Sequence, residues 1–228
     1  MLKNLKIAAT LAIMLAAPLT LAQQASMELN ERIVSVTTEF LDTLTRTQHN
    51  NAVYDFDDEE RLNWHFIPRD RNGVVFRSMT DEQLEAATML LRTLFSVSGY
   101  AQTQAVRDLE NVLAEIEING MFERDPDLYY ITVFGEPGMN TTWGLRYEGH
   151  HLAFNWTFVD GVGIASSPQF FGSNPAEVRS GSKTGTRVLG AEEDLAQNYY
   201  CRSMLSNSSK LSLQQLCPAT YSPVQARK

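Results

Sequence analysis

Apolar residues recur at helical spacing from Met27 to Thr47, where Ile33, Val34, Phe40, Leu41 and Leu44 stand among polar neighbours and predict an amphipathic helix. An acidic loop, Asn50 to Arg61, follows with Asp55, Asp57, Asp58, Glu59 and Glu60. The aromatic stretch Trp64-His65-Phe66 ends at Pro68 and the turn Arg69 to Gly73, and Val74-Val75-Phe76 predicts a short strand. Two further helices carry sharper signals. The first opens at Thr80, with Gln83 completing a capping box; it carries Leu84, Ala87, Leu90, Leu91 and Leu94 and is expected to end at Gly99. The second spans Thr103 to Ile118, with Val106, Leu109, Val112, Leu113 and Ile116 on one face. Such stripes face a core rather than a cofactor.

Beyond residue 128 the pattern changes to aromatic and β-branched runs punctuated by Gly and Pro: Tyr129 to Phe134, the turn Glu136-Pro137-Gly138, then a long hairpin from Thr142 to Val159. Helices and strands are segregated along the chain. That arrangement predicts an α+β fold, an amino-terminal helical segment packed on an antiparallel sheet. Within the hairpin a regular strand would put Arg146, Glu148 and His150 on the face of Leu152, Phe154, Trp156 and Phe158. A β-bulge or tight bend at Gly149 resolves the conflict: Trp143, Leu145, Tyr147, His150, Leu152, Phe154, Trp156 and Phe158 then form one apolar face. Arg146, Glu148, His151, Asn155 and Thr157 share the other.

This polar set is the candidate chemistry. Glu148, His150 and His151 combine carboxylate and imidazole, donors that suit a transition metal such as zinc, copper or iron and that also serve as acid and base. Glu148 and His151 are the expected catalytic groups, with Arg146 and Asn155 orienting substrate. Against this, adjacent histidines on a strand point to opposite faces unless the backbone bends between them. His65 supplements the site or is a hydrogen-bonded structural residue, and His49 sits at a helix end. The run Glu192-Glu193-Asp194 is expected to open a helix whose dipole it complements. The chain has no Gly-rich phosphate loop, nucleophile elbow, paired-cysteine metal motif or His-Glu-x-x-His helix. Asn140-Thr-Thr142 and Asn155-Trp-Thr157 match the glycosylation sequon.

The amino-terminal residues add a compartment. Lys3 and Lys6 precede an apolar run from Ile7 to Leu21, with Thr20 and Ala22 at the −3 and −1 positions of a cleavage site before Gln23. The run is interrupted by Pro18 and is shorter than the roughly 20 residues of a membrane span, so a cleaved signal peptide and a secreted or periplasmic protein are expected. No later segment is apolar enough to span a bilayer. Loss of Lys3 and Lys6 leaves 17 basic against 27 acidic residues, a net charge of −10, with the cations scattered singly. The charge balance argues against nucleic acid as a partner, and a small molecule or an extracytoplasmic protein fits better.

Several motifs in order carry a family resemblance: Trp64 to Pro68, Ser98-Gly99-Tyr100, Arg124-Asp125-Pro126 with Tyr129, Phe134-Gly135-x-Pro137, Trp143-Gly144, Glu148-Gly-His-His-Leu152, Pro168-x-Phe170-x-Gly172-x-Asn174-Pro175, Gly181, and Val188-Leu189 with Glu192-Glu193. Over about Trp64 to Ala196 the chain resembles the secreted bacterial family known as domain of unknown function 3500. The resemblance implies no reaction. It points to the neighbourhood of Glu148, His150, His151, Asn155, Trp64 and Asn174. After Gln197 the chain departs from the family pattern in a way that a reading-frame slip would explain, with a disordered tail and Cys201 and Cys217 accidental rather than a disulfide. The expected organisation is a signal peptide over 1–22, a helix and acidic loop over 23–60, the α+β domain over 61–197 and the atypical tail over 198–228. Two functions follow: a secreted metal-dependent enzyme using the Glu-Gly-His-His group, or a non-catalytic binding or assembly module in which Trp64, Trp143 and Trp156 line a groove.

Overall fold

A computed structural model describes Gln24 and residues 26–206, so the expected signal segment and Cys217 lie outside the described residues. The chain divides into two compact units, one ending at Gly172 and one beginning at Ser173.

The first unit is α+β. Helix α1 (residues 26–42) stops short of its predicted end because Thr45 starts a new helix, α2 (Arg46–Ala52). Thr45 and Gln48 form a capping box there, satisfying two amides that would otherwise be orphaned. Strand β1 (Val53–Tyr54) follows directly, then a 3-10 turn at Glu59–Leu62, β2 (Val74–Val75) and a second 3-10 turn at Phe76–Ser78. Helix α3 (Asp81–Leu94) opens on the expected Thr80–Gln83 capping box. It ends before Gly99, because Ser96 caps a new helix, α4 (Val97–Ile116), by accepting from the Gly99 amide. Gly99 thus begins a helix rather than ending one.

Five strands complete the sheet: β3 (Tyr130–Phe134), β4 (Thr142–Gly149), β5 (Leu152–Val159), β6 (Val162–Ala165) and β7 (Gln169–Phe171). The sheet runs β1-β3-β4-β5-β6, with β2 also on β3 and β7 also on β5. All pairs are antiparallel except β1 with β3. The segment before residue 61 therefore supplies an edge of the same sheet. Asp160 and Gly161, both at positive φ, make the tight β5–β6 turn that an Asp-Gly pair favours.

Alternation along β4 and β5 separates two faces. Trp143, Leu145, Tyr147, Leu152, Phe154 and Phe158 are buried on one; Phe95, between α3 and α4, meets that face edge-on at Tyr147, Phe154 and Trp156. Burial of each such side chain contributes about 1.5–3 kcal/mol. Glu60 and Arg71, from the segment between β1 and β2, pair with Arg146 and Glu148 of the other face.

In the second unit α5 (Gly190–Ser206) begins at the expected acidic run, and Arg187 bonds Glu193 and Asp194 at 2.8 Å each. Asn198 to Ser206 continue this helix, where a disordered tail was expected from Asn198 onward. Cys201 is buried and disulfide-bonded, against the expectation of accidental thiols.

Candidate functional site

Strands β4 and β5 stay in register from Thr142↔Val159 to Gly149↔Leu152, so only His150 and His151 connect them. The expected irregularity at Gly149 is thus a two-residue hairpin tip one position further on. His150 leaves the apolar face and sits at the apex. His151 takes φ 60°, in the left-handed region that histidine enters more readily than most side chains. Gly149 is required beneath the tip, because a Cβ there would lie 2.3 Å from the buried Tyr129 ring. Three segments hold the tip: the Tyr129 hydroxyl donates to the His150 carbonyl (2.7 Å), the His151 amide to the Phe66 carbonyl (2.8 Å), and the Gly172 amide to the His151 carbonyl (2.9 Å).

The fixed backbone aims the His150 ring at α4. Its Nδ1 lies 2.5 Å from Glu110 Oε1, both side chains being almost wholly buried. A carboxylate only accepts, so this contact places a hydrogen on Nδ1 and leaves Nε2 as the second ring nitrogen. Among the described residues no group bonds Nε2. Arg124 flanks the pair: its NH1 lies 3.2 Å from His150 Nδ1 and 3.8 Å from Glu110 Oε2, while NH2 holds Glu117 at 2.7 Å. With Nδ1 protonated, Arg124 acts on the pair through charge, compensating the buried carboxylate.

His150 and Glu110 line an open cavity of about 440 Å³, within the range of small-molecule sites. Its wall also carries Arg69, Arg77, Phe122 and Tyr130, and no Ser, Thr or Cys lines it among the described residues. Burial raises the Tyr130 phenol above its ordinary pKa, so it stays protonated near neutrality.

The other predicted site residues are placed differently. Glu148 does not face His150. Its Oε2 accepts from the His65 amide (2.7 Å) and lies 3.5 Å from Arg71 Nε, while Oε1 lies 2.8 Å from Arg146 Nε. Arg146 is completely buried and also bonds Glu60, so it cannot orient a ligand in the cavity. Two arginines and an amide thus occupy the carboxylate expected to ligate metal. Among the described residues no group of three His, Cys, Asp or Glu side chains is gathered for a metal ion. His151 touches His150 edge-on, ring centres 4.4 Å apart, but its pKa falls to about 4 through burial and then the neighbouring charges of His150 and Arg124. It therefore stays neutral near neutral pH. Asn155 donates to the Pro168 carbonyl (2.7 Å) and lines a separate cavity of about 40 Å³ with Trp64 and Trp156. Trp143, stacked on Phe158, is fully buried, so the expected three-tryptophan groove does not form. His65 keeps a structural place: its Nε2 contacts Asn63 and Arg69, and burial followed by the Arg69 charge lowers its pKa.

Glu110 and Arg124 were not singled out from sequence as site residues. Glu110 does follow Leu109 on a helix whose neighbours are apolar, but only the fold brings it to residue 150.

A family model described as "Protein of unknown function (DUF3500)" matches residues 26–219, a span that runs past Gln197 into the tail. No curated protein and no solved structure matches the chain.

Proposed function

The chain belongs to the DUF3500 family of proteins of unknown function, and we propose that it is an exported enzyme that performs acid–base chemistry on a small molecule held beside His150. The single observation that carries this reading is the buried His150–Glu110 pair on the wall of a 440 Å³ cavity. Glu110 keeps the hydrogen on Nδ1 and stabilises the imidazolium that forms when Nε2 takes a proton. An oriented histidine of this kind contributes about 10²–10⁴-fold to rate. With no Ser, Thr or Cys side chain in the wall among the described residues, Nε2 activates water or removes a proton from the substrate itself rather than from a protein nucleophile. Tyr130, protonated, supplies a hydrogen-bond donor on the same wall.

This reading replaces the metal centre of His150, His151 and Glu148, since Glu148 is committed to Arg71, Arg146 and the His65 amide. Export rests on the charge, apolar run and small residues of positions 1–22. Amino-terminal sequencing of the secreted chain is expected to begin at Gln23.

The test is a screen of the mature protein against chromogenic esters, lactones, phosphoesters and glycosides. An activity found there should fall at least about 10²-fold in His150→Gln, and less in Glu110→Gln, whose amide oxygen still accepts from Nδ1. An activity that His150→Gln leaves intact overturns the proposal.

A further inference from the structure

We infer that the ligand of this cavity is an amphiphile, with its polar head among the charged wall residues and an apolar tail along the loop between α4 and β3. The inference rests on the cavity reading above and adds the class of molecule. Ile118 and Met121 are 78% and 90% exposed, and the nearby Phe122 is 45% exposed. Three large apolar side chains within five residues are an unusual surface unless something covers them. Met121 and Phe122 also line the cavity, so the exposed apolar surface continues from its wall rather than standing apart from it.

The loop is tied to the His150–Glu110 pair. Glu117 and Arg124, which bracket these three residues, form an ion pair of 2.7 Å, and the same Arg124 guanidinium contacts His150 and Glu110 and lies 5.6 Å from the Phe122 ring centre. A tail lying on Met121 and Phe122 would therefore hold a head within reach of His150. In the wall, Arg77 is paired with Glu123 and Asp125, Arg71 with Glu148, and Glu110 with His150 and Arg124. Arg69 and Asp70 make no ion pair among the described residues, which leaves one cation and one anion to meet a head group.

Calorimetric titration of the mature protein with dispersed alkanoates from butanoate to decanoate tests the tail. Alkylammonium and alkyl glucoside series of the same lengths separate the head-group preference. Affinity should rise about two- to fourfold for each added methylene, the gain expected for partial to full burial of a CH₂. The doubly substituted Ile118→Ser/Met121→Ser protein, altered only at exposed positions, should lose this dependence on chain length. His150→Gln should keep it, so a failure of the acid–base reading is seen as unchanged turnover while the binding slope persists. Affinity that is flat across all three series overturns the inference. So does binding to phosphatidylcholine vesicles without binding to dispersed monomers, which would make the loop a membrane-docking surface.

Discussion

Glu110 on α4 and His150 at the β4–β5 tip are 40 residues apart in sequence and meet at 2.5 Å. The contact couples the helical layer to the hairpin and gives the imidazole a fixed tautomer. Removing the carboxylate should therefore be felt in stability as well as in chemistry. Glu110→Ala leaves the Nδ1 hydrogen without an acceptor and Arg124 with Glu117 alone, a loss of about 1–3 kcal/mol for a buried polar partner. Urea unfolding should show a lower midpoint at an unchanged slope. Glu110→Gln should recover much of that loss, and an Ala variant as stable as the parent would show the contact to be energetically idle.

Glu148 is predicted to matter for stability independently of any metal. Glu148→Ala leaves Arg71 and Arg146 buried without their shared carboxylate, and breaking a buried ion pair from one side costs about 3–5 kcal/mol. The loss should be the same in excess chelator and in micromolar zinc. A destabilisation that appears only when zinc is present would return Glu148 to the role of metal ligand.

The architecture was legible wherever a local signal coincided with the global one. The Thr80–Gln83 box marked the start of α3 because capping is settled within one turn. The faces of β4 and β5 followed from alternation, with Arg146 and Glu148 opposite Leu145 and Tyr147. The apex was harder: tight turns usually announce themselves with Gly, Asn or Asp, and here two histidines make one, so Gly149 read as a bulge. Strand β1 is two residues long and is defined by its partner β3, which leaves no periodicity to read. The same limit hid the site. Glu110 looks like any polar residue of an amphipathic helix until the hairpin tip packs against it.

The pocket that Gly149 leaves for Tyr129 predicts a double-mutant result. Gly149→Ala drives a methyl into a fully buried ring, and overpacking of this kind costs about 1–3 kcal/mol. Because Tyr129 also carries the hydroxyl that holds the His150 carbonyl, the strain should disturb the apex as well. Combined with Tyr129→Leu, which opens the space, the cost of Gly149→Ala should be smaller than in the parent. Strict additivity of the two losses would show that they do not share this contact.

His151 gives a pH signature with a definite sign. Its folded-state pKa of about 4 lies below the ordinary value of 6.5, chiefly because burial disfavours the charged ring, and the charges of His150 and Arg124 act in the same direction. Between these values the unfolded chain binds more protons than the folded one, so stability rises with pH across that window. The contribution is fully present above about pH 6.5 and is lost as pH falls toward 4. For a ring with partial solvent access the change is on the order of 1–2 kcal/mol after screening. His151→Asn tests it without disturbing the backbone, since asparagine also tolerates the left-handed conformation at φ 60°. Unfolding free energy measured from pH 4 to pH 7 should climb less steeply in this variant than in the parent. Parallel curves would show that His151 titrates normally in the folded protein and is not held neutral by the packing around the hairpin tip.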